Sequence, residues 1–216
     1  NGALLVKHPE LDETPGKFPG NKGIYCRGYC PLHPEVHKVL FDLIDELADA
    51  CEAKAFHVGM DEVFILADKD CPRCAGKAPA DLFAGEVQML RDHLRKSGRR
   101  MWMWGDRLLD GKATGIGEWE ASTNGTAPAI DKVPRDVVIC DWHYEKAQNT
   151  LRYFASKGFD VVACPWRKQE VALQQLSILH ALRGDRGTAE HALGVVQTTW
   201  CGPEAFLRAY RGDAAA

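Results

Sequence analysis

Two adjacent carboxylates, Asp61 and Glu62, directly follow a short apolar run from Ala55 to Met60. Such a run is typical of a buried parallel strand. Neighbouring residues of a strand point to opposite faces, so both carboxylates can reach one pocket only where the backbone turns at the strand end. There they could act on different atoms of one substrate, and the alternative is a solvated pair in a loop.

Four cysteines in polar segments form a second group that could do chemistry. They occur as Cys26-x₃-Cys30 and as Cys71-Pro-Arg-Cys74. Two pairs of thiolates could close a structural zinc site that holds two loops together. Disulfides and free thiols remain alternatives, and disulfides would favour an oxidising, extracytoplasmic compartment. Otherwise the sequence leaves the localisation unknown.

The elements that position these groups alternate regularly along the chain. Strands are predicted at Ala55–Met60, Arg100–Gly105, Asp136–Trp142, Asp160–Trp166 and Ala192–Trp200, and helices at about 34–51, 79–97, 146–157, 168–183 and 203–210. Strands that alternate with helices indicate βαβ units, and therefore an α/β fold with a parallel sheet.

Tryptophans decide between an open sheet and a barrel. Four of the five predicted strands end in a tryptophan, namely Trp104, Trp142, Trp166 and Trp200. The remaining strand ends in Asp61-Glu62. In a parallel barrel these ends meet at the face where active sites lie. Aromatic rings around a carboxylate pair predict a sugar-binding pocket, although each ring could instead anchor the core.

Composition excludes several function classes. The chain has 216 residues, of which 45% are hydrophobic, and a formal net charge of −3. It is long enough for one domain with a sizeable core. We expect no nucleic-acid partner, because no clustered basic face is evident. We also expect no membrane span, because no apolar run approaches about 20 residues. No glycine-rich nucleotide fingerprint follows a strand.

The segment His57-Val-Gly-Met-Asp-Glu62 resembles the signature His-x-Gly-Gly-Asp-Glu of the family 20 glycoside hydrolases, the β-N-acetylhexosaminidases. Met60 replaces the second glycine. Leu5-x₃-Pro9-Glu-Leu11 is similar to the segment after the family's third barrel strand. Cys30-Pro31 followed by Pro34-Glu35 is similar to the start of its third helix, and the tryptophans match in order. The resemblance covers nearly the whole chain.

This resemblance implies that the strands are numbers four to eight of a (β/α)₈ TIM-type barrel. Residues 1–216 would then be a single catalytic-domain fragment, the C-terminal portion of the barrel. The partner of this chain would be the N-terminal strands of the parent protein, which would carry the family's substrate-clamping arginine. Without them, the sheet would have two exposed edges.

The resemblance also implies an enzyme, a retaining exo-β-N-acetylhexosaminidase that acts on a glycan by substrate assistance. Glu62 would be the general acid and base, and Asp61 would orient the acetamido group whose oxygen attacks the anomeric carbon. Substrate-binding residues would be His57, Trp104, Asp141, Trp142, Tyr144, Trp166 and Trp200. No cofactor is required for catalysis, and zinc, if bound, would be structural.

Two departures from the family keep other functions open. The eighth strand leads into Trp200-Cys-Gly-Pro-Glu204 where the family often has Trp-x-Glu, and the seventh lacks Tyr-x-Asp. A catalytically silent carbohydrate-binding relative is one alternative. The second alternative is a different hydrolase of the (β/α)₈ class, in which Asp61 and Glu62 have other roles.

Overall fold

The strands of this chain form one parallel sheet in a computed structural model that describes residues 2–212. They are β1 (Ala55–His57), β2 (Arg100–Trp104), β3 (Val138–Asp141), β4 (Asp160–Ala163) and β5 (Ala192–Val195), and they pair in chain order. Each connection therefore advances by one strand, as in a (β/α)₈ barrel. The predicted α/β fold is confirmed as a part of such a barrel.

Helices connect the strands, and the five predicted helices begin within four residues of their expected positions. They are α1 (Gly2–Lys7), α2 (Val36–Ala50), α3 (Pro79–Lys96), α4 (Gly111–Thr114), α5 (Thr150–Ser156), α6 (Gln169–Arg183) and α7 (Pro203–Arg211). Pro79 and Pro203 occupy first-turn positions, where the missing N–H costs nothing. Gly98 follows α3 with φ 67°, a left-handed conformation that ends the helix. Over residues 2–212, no helix is long and apolar enough to cross a membrane.

The two faces of the sheet bury different residues because side chains alternate along each strand. The outer face packs against the helices and forms the main core, which includes Met101, Met103, Ile139, Val161, Ala163, Leu90, Phe154 and Leu179. The inner face carries a smaller cluster of Val138, Cys140, Val162 and Cys164, with Trp102, Trp104 and Trp142 against it. Burial of each large side chain in the main core stabilises the folded state by about 1.5–3 kcal/mol.

All five strands end earlier than predicted, by one to five residues. β1 ends at His57 because Gly59 and Met60 take left-handed conformations, with φ 80° and 72°. β4 ends at Ala163, two residues before Pro165, which has no N–H to donate to a ladder. Trp166 and Trp200 therefore lie in loops, whereas Trp104 is the last residue of β2.

The outermost strands, β1 and β5, each pair on one side within residues 2–212. Ala55 and His57 of β1 are exposed, as are Leu193 and Val195 of β5. Helix α7 buries no residue, and its Phe206 and Tyr210 are exposed. Both outer strands and α7 thus carry exposed side chains.

Candidate active site

The chain turns sharply after β1 and points both carboxylates away from the strand. Gly59, Met60 and Glu62 have positive φ angles of 80°, 72° and 50°. The Gly59 N–H donates to His57 Nδ1 at 3.1 Å, and the Gly59 carbonyl accepts from the Trp104 N–H at 2.9 Å. Non-glycine residues with positive φ carry strain and are common at functional sites. The backbone therefore turns at the end of β1, where Asp61 and Glu62 must both reach one pocket.

A cavity of about 400 Å³ opens above the inner face of the sheet. Asp61 and Glu62 lie on its wall, and most of its other residues are aromatic. Its lining comprises Tyr25, Asp61, Glu62, Trp104, Trp119, Glu120, Trp142, Tyr144 and Trp200. A concave aromatic surface with a few polar groups is the usual form of a small-ligand site.

Aromatic side chains of this wall contact one another in two groups. In the first, the Trp200 indole N–H donates to the Tyr144 hydroxyl at 2.7 Å, and the Tyr144 ring lies 5.1 Å from Trp142. In the second, Tyr25 packs edge to face on Trp119, with ring centroids 5.1 Å apart. These contacts fix ring orientations, and burial raises the pKa of Tyr144, which keeps its phenol protonated.

Glu62 lies in an environment that favours its protonated form. Burial raises its pKa, and the carboxylates of Asp61 and Asp106 add to the increase. The Arg107 guanidinium and a hydrogen bond with Tyr25 oppose it but do not cancel it. A carboxyl group with a raised pKa can remain protonated at a pH where an ordinary glutamate is ionised. Burial also raises the pKa of Asp61, against the opposing charges of His57 and Arg107.

A buried ion pair supports the pair of carboxylates from below. Asp106 Oδ2 accepts from the Glu62 backbone N–H at 3.0 Å and from Arg107 Nε at 2.7 Å. Its other oxygen lies 3.3 Å from the Trp142 indole nitrogen, which donates to it. Asp106 thus connects the backbone of the β1 turn to an aromatic wall that comes from β3.

Arg107 also holds the loop that carries Trp119. Its side chain is fully buried, and Nη2 donates to three carbonyl oxygens, those of Glu118, Trp119 and Ala121, at 2.6, 2.8 and 2.8 Å. A guanidinium presents several donors in a fixed plane, so it can bind a curved stretch of backbone. Arg107 therefore holds the Trp119 loop directly and the Glu62 backbone through Asp106.

A buried histidine joins the same loop to β3. His143 Nδ1 lies 2.5 Å from the Glu120 carboxylate, and Nε2 lies 3.3 Å from Asp141. Burial disfavours the charged imidazolium, but the two carboxylates outweigh this and raise the pKa of His143 to about 10. Asp141 is buried and accepts from Thr150 Oγ1 at 2.6 Å, so it supports the site without lining the cavity.

Six of the residues predicted from the sequence come together around the cavity, namely Asp61, Glu62, Trp104, Trp142, Tyr144 and Trp200. Three others do not line it: Asp141 lies beneath it, and His57 packs on Trp104 with ring centroids 4.5 Å apart. Trp166 lies behind Tyr144, with the Arg167 guanidinium 4.3 Å from its ring.

Sequence reasoning missed Tyr25, Trp119 and Glu120 in the wall, and Asp106 and Arg107 beneath it. Tyr25 lies in a glycine- and proline-rich segment, and the Glu118-Trp119-Glu120 stretch lies in a polar connection without periodicity. The sequence did offer one signal for this part of the wall. Trp119 lies between two acids, and such an aromatic residue is unusual in a purely solvated loop.

Three of the four cysteines predicted to bind zinc come together in the structure. Glu13, Cys30, Cys71 and Cys74 have ligand atoms within 4.8 Å of one another, and Cys26 is not among them. The Cys26 thiol instead lies 3.6 Å from the Glu62 carbonyl oxygen, beside the catalytic candidates. Glu13 joins the three cysteines in this cluster.

Comparison with known proteins gives the family. Residues 7–173 match the sequence profile of glycosyl hydrolase family 20, catalytic domain. A search of curated proteins gave no match. The chain superposes on a chitobiase from Flavobacterium johnsoniae with a TM-score of 0.58 and 16% identity, over 91% of this chain and 30% of the chitobiase.

A β-N-acetylhexosaminidase from Bacteroides fragilis aligns with a TM-score of 0.48 and 20% identity, over 76% of this chain and 29% of its own. The chain thus spans less than a third of the length of these two solved structures. The profile match extends over most of the sequence, and it includes the turn that carries Asp61 and Glu62. The chain therefore belongs to glycosyl hydrolase family 20.

Proposed function

We propose that the protein containing this chain is a retaining exo-β-N-acetylhexosaminidase that works by substrate assistance. The observation that carries this proposal is the pair Asp61 and Glu62, adjacent in sequence and together on the wall of an aromatic cavity. Two-carboxylate glycosidases separate their catalytic groups across the scissile bond, whereas substrate assistance replaces one of them with the acetamido group of the sugar.

In this mechanism Glu62 protonates the glycosidic oxygen. Its raised pKa supports this role, because a general acid must hold its proton near the working pH. The acetamido oxygen of the substrate then attacks the anomeric carbon and forms an oxazolinium ion. Glu62, now ionised, takes a proton from the water that opens the ring, and the product retains its configuration.

Asp61 would accept the acetamido N–H and stabilise the positive charge that develops on the oxazolinium ion. Tyr144 would donate its phenol hydrogen to the acetamido oxygen, consistent with its place on the wall and with its raised pKa. Trp104, Trp142 and Trp200 would pack on the sugar ring and the acetamido methyl group. No cofactor takes part in these steps.

We further propose that residues 1–216 are the C-terminal portion of the catalytic barrel. The family 20 chitobiase is more than three times as long as the aligned region, and β1 and β5 are each open on one side. Three additional strands between them would close an eight-stranded barrel and cover His57, Leu193 and Val195.

The test is hydrolysis of an aryl N-acetyl-β-glucosaminide beside the matching aryl β-glucoside, with the complete protein. We expect turnover of the acetamido sugar alone, because only that sugar carries the internal nucleophile. Glu62→Gln should lower kcat/KM by about 10²–10⁴-fold, the usual contribution of a general acid. The exposed Glu190→Gln is the control, expected to match the wild type.

Two results would contradict the proposal. Equal turnover of the glucoside would indicate a hydrolase in which Asp61 and Glu62 have other parts. Binding of N-acetylglucosamine by a folded protein that turns over neither sugar would indicate a carbohydrate-binding relative.

A further inference from the structure

A cluster of buried ligand-type side chains lies outside the cavity. Glu13, Cys30, Cys71 and Cys74 are each at most 1% exposed, and their ligand atoms all lie within 4.8 Å of one another. They come from two segments more than 40 residues apart in sequence, one before α2 and one between β1 and α3. The hydrolytic mechanism uses none of them.

Distances within the cluster fit a tetrahedral metal better than a disulfide. Cys30 Sγ and Cys71 Sγ are 3.6 Å apart. Four ligands at Zn–S bonds of about 2.3 Å require sulfur atoms about 3.8 Å apart, whereas a disulfide requires about 2.05 Å. The Cys74 thiol donates to Glu13 Oε1 at 2.6 Å. A metal ion would replace that proton and move these two atoms apart by about 1 Å.

One carboxylate oxygen in the cluster lacks a partner. Glu13 Oε1 accepts from Cys74 and from the Asp68 N–H, but Glu13 Oε2 is buried and has no hydrogen-bond partner among residues 2–212. A buried carboxylate oxygen without a partner is costly. A bound cation would supply the missing interaction.

We propose that Glu13, Cys30, Cys71 and Cys74 bind one structural zinc ion. Three sulfur ligands select zinc over magnesium and calcium, which prefer oxygen. Four protein ligands fill a tetrahedral shell, so the ion has no open position for substrate, as in structural sites. Cys26 is not a ligand, because its sulfur lies against the Glu62 carbonyl.

Such an ion would fix one wall of the cavity. Tyr25 lies between Glu13 and Cys30 in sequence, and its ring contacts Trp119 and Phe64. Apart from the cluster, the two segments are joined by the Lys17 ion pairs with Asp68 and Asp70 at the surface. The Tyr25 ring also contacts Phe64, and the Cys26 thiol lies against the Glu62 carbonyl. Partly exposed ion pairs contribute little, so the zinc ion would add a strong link between the segments.

The first measurement is the zinc content of the purified protein, expressed with zinc and purified without chelator. We expect about one zinc ion per chain. Cys74→Ser and Glu13→Gln should lower this content, while Cys26→Ser and the exposed Cys51→Ser should keep it. Circular dichroism shows whether each variant is folded.

A second measurement replaces or removes the metal. Protein loaded with cobalt instead of zinc should show the strong thiolate-to-cobalt charge-transfer absorption of a tetrahedral, sulfur-rich site. Removal of zinc by a chelator should lower the unfolding temperature of the wild type but not that of Cys74→Ser. Neither measurement depends on glycosidase activity, so this proposal and the proposed function can fail separately.

Three results would overturn the zinc site. The first is a folded wild type that contains no metal and shows a Cys30–Cys71 disulfide in its mass spectrum. The second is full zinc content in folded Cys74→Ser. The third is a loss of zinc in Cys26→Ser equal to that in Cys74→Ser.

Discussion

At the scale of single residues, the site places three carboxyl groups close to one another. Glu62 has Asp61 beside it in the chain and Asp106 beneath its backbone. Like charges at short range disfavour ionisation, and Arg107 offsets only part of that effect. The consequence is a glutamate that keeps its proton to a higher pH than an exposed one.

This environment predicts a change in the pH profile. Asp61→Asn removes a negative charge that raises the pKa of Glu62, so that pKa should fall. In the proposed mechanism Glu62 is active while protonated, so activity is lost as pH rises through its pKa. The alkaline limb of kcat/KM for the residual activity of Asp61→Asn should therefore move to lower pH. An alkaline limb that stays in place would show that Asp61 does not set the proton affinity of Glu62.

His143 predicts a pH-dependent contribution to stability. Its pKa is raised from 6.5 to about 10 in the folded state, so its contribution is fully present below about pH 6.5 and is lost as pH rises through about 10. His143→Gln leaves the Asp141 and Glu120 carboxylates without their cation, which should cost about 3 kcal/mol.

The measurement is urea unfolding of wild type and variant at several pH values. The difference in free energy of unfolding should be largest near pH 6 and smaller near pH 10. The exposed His180→Gln is the matched control, expected to stay within about 0.5 kcal/mol at each pH. A pH-independent difference for His143→Gln would contradict the assigned charge.

Residue patterns predicted the carboxylate pair and four aromatic members of the wall, but not all of it. Trp119 reaches the cavity because the Arg107 guanidinium, 12 residues before it, binds three carbonyls of its loop. Neither spacing nor periodicity records such a contact. At Met60 the structure explains a feature of the sequence. Its φ of 72° is a conformation that glycine adopts readily and in which methionine is strained, which explains the glycine of the family signature.

At the scale of elements, the sequence predicted the five strands, the five longest helices and their order, but it extended the strands too far. β5 was expected to reach Trp200 and ends at Val195. Apolar and β-branched residues continue past Val195, so the composition does not change where the ladder ends. The residues beyond it bind other groups: the Thr198 hydroxyl donates to the Pro165 carbonyl.

The junction after β2 yields a prediction about packing. A Cβ atom at Gly105 would lie 2.6 Å from Ile139 Cγ2 and 2.9 Å from Phe154 Cζ. Gly105→Ala should therefore destabilise the protein by about 1–3 kcal/mol, because the core cannot move aside freely. Thermal or urea unfolding measures this change.

Gly85 in α3 provides the control. A Cβ atom there meets nothing within 4 Å, and alanine favours a helix more than glycine does. Gly85→Ala should stabilise the protein by about 0.5–1 kcal/mol. Equal stability of the two variants would contradict the packing argument for Gly105.

At the scale of the whole molecule, the parallel sheet has two open sides. Among residues 2–212, β1 and β5 each pair with a strand on one side only, and Ala55, Leu193 and Val195 on them are exposed. Exposed edges of this kind pair with other chains. In the proposed barrel, the remaining strands would occupy that space.

We therefore expect the isolated 216-residue chain to self-associate as its concentration rises. Val195→Lys places a charge on the β5 edge and should reduce that association, because edge lysines oppose strand pairing. Val6→Lys, on the exposed side of α1, adds the same charge far from the sheet edge in sequence and should have little effect. Light scattering after size-exclusion chromatography measures both, and a monodisperse wild-type monomer would contradict the prediction.

Under the proposed function, the open edges would allow catalysis to be divided between two polypeptides. Asp61, Glu62 and the aromatic wall lie on this chain, while the family's substrate-clamping arginine would lie on the strands that complete the barrel. Neither piece alone would hydrolyse a chromogenic sugar. Fused to two proteins that bind each other, the pieces would become a split reporter, in which colour signals that the fused proteins have met.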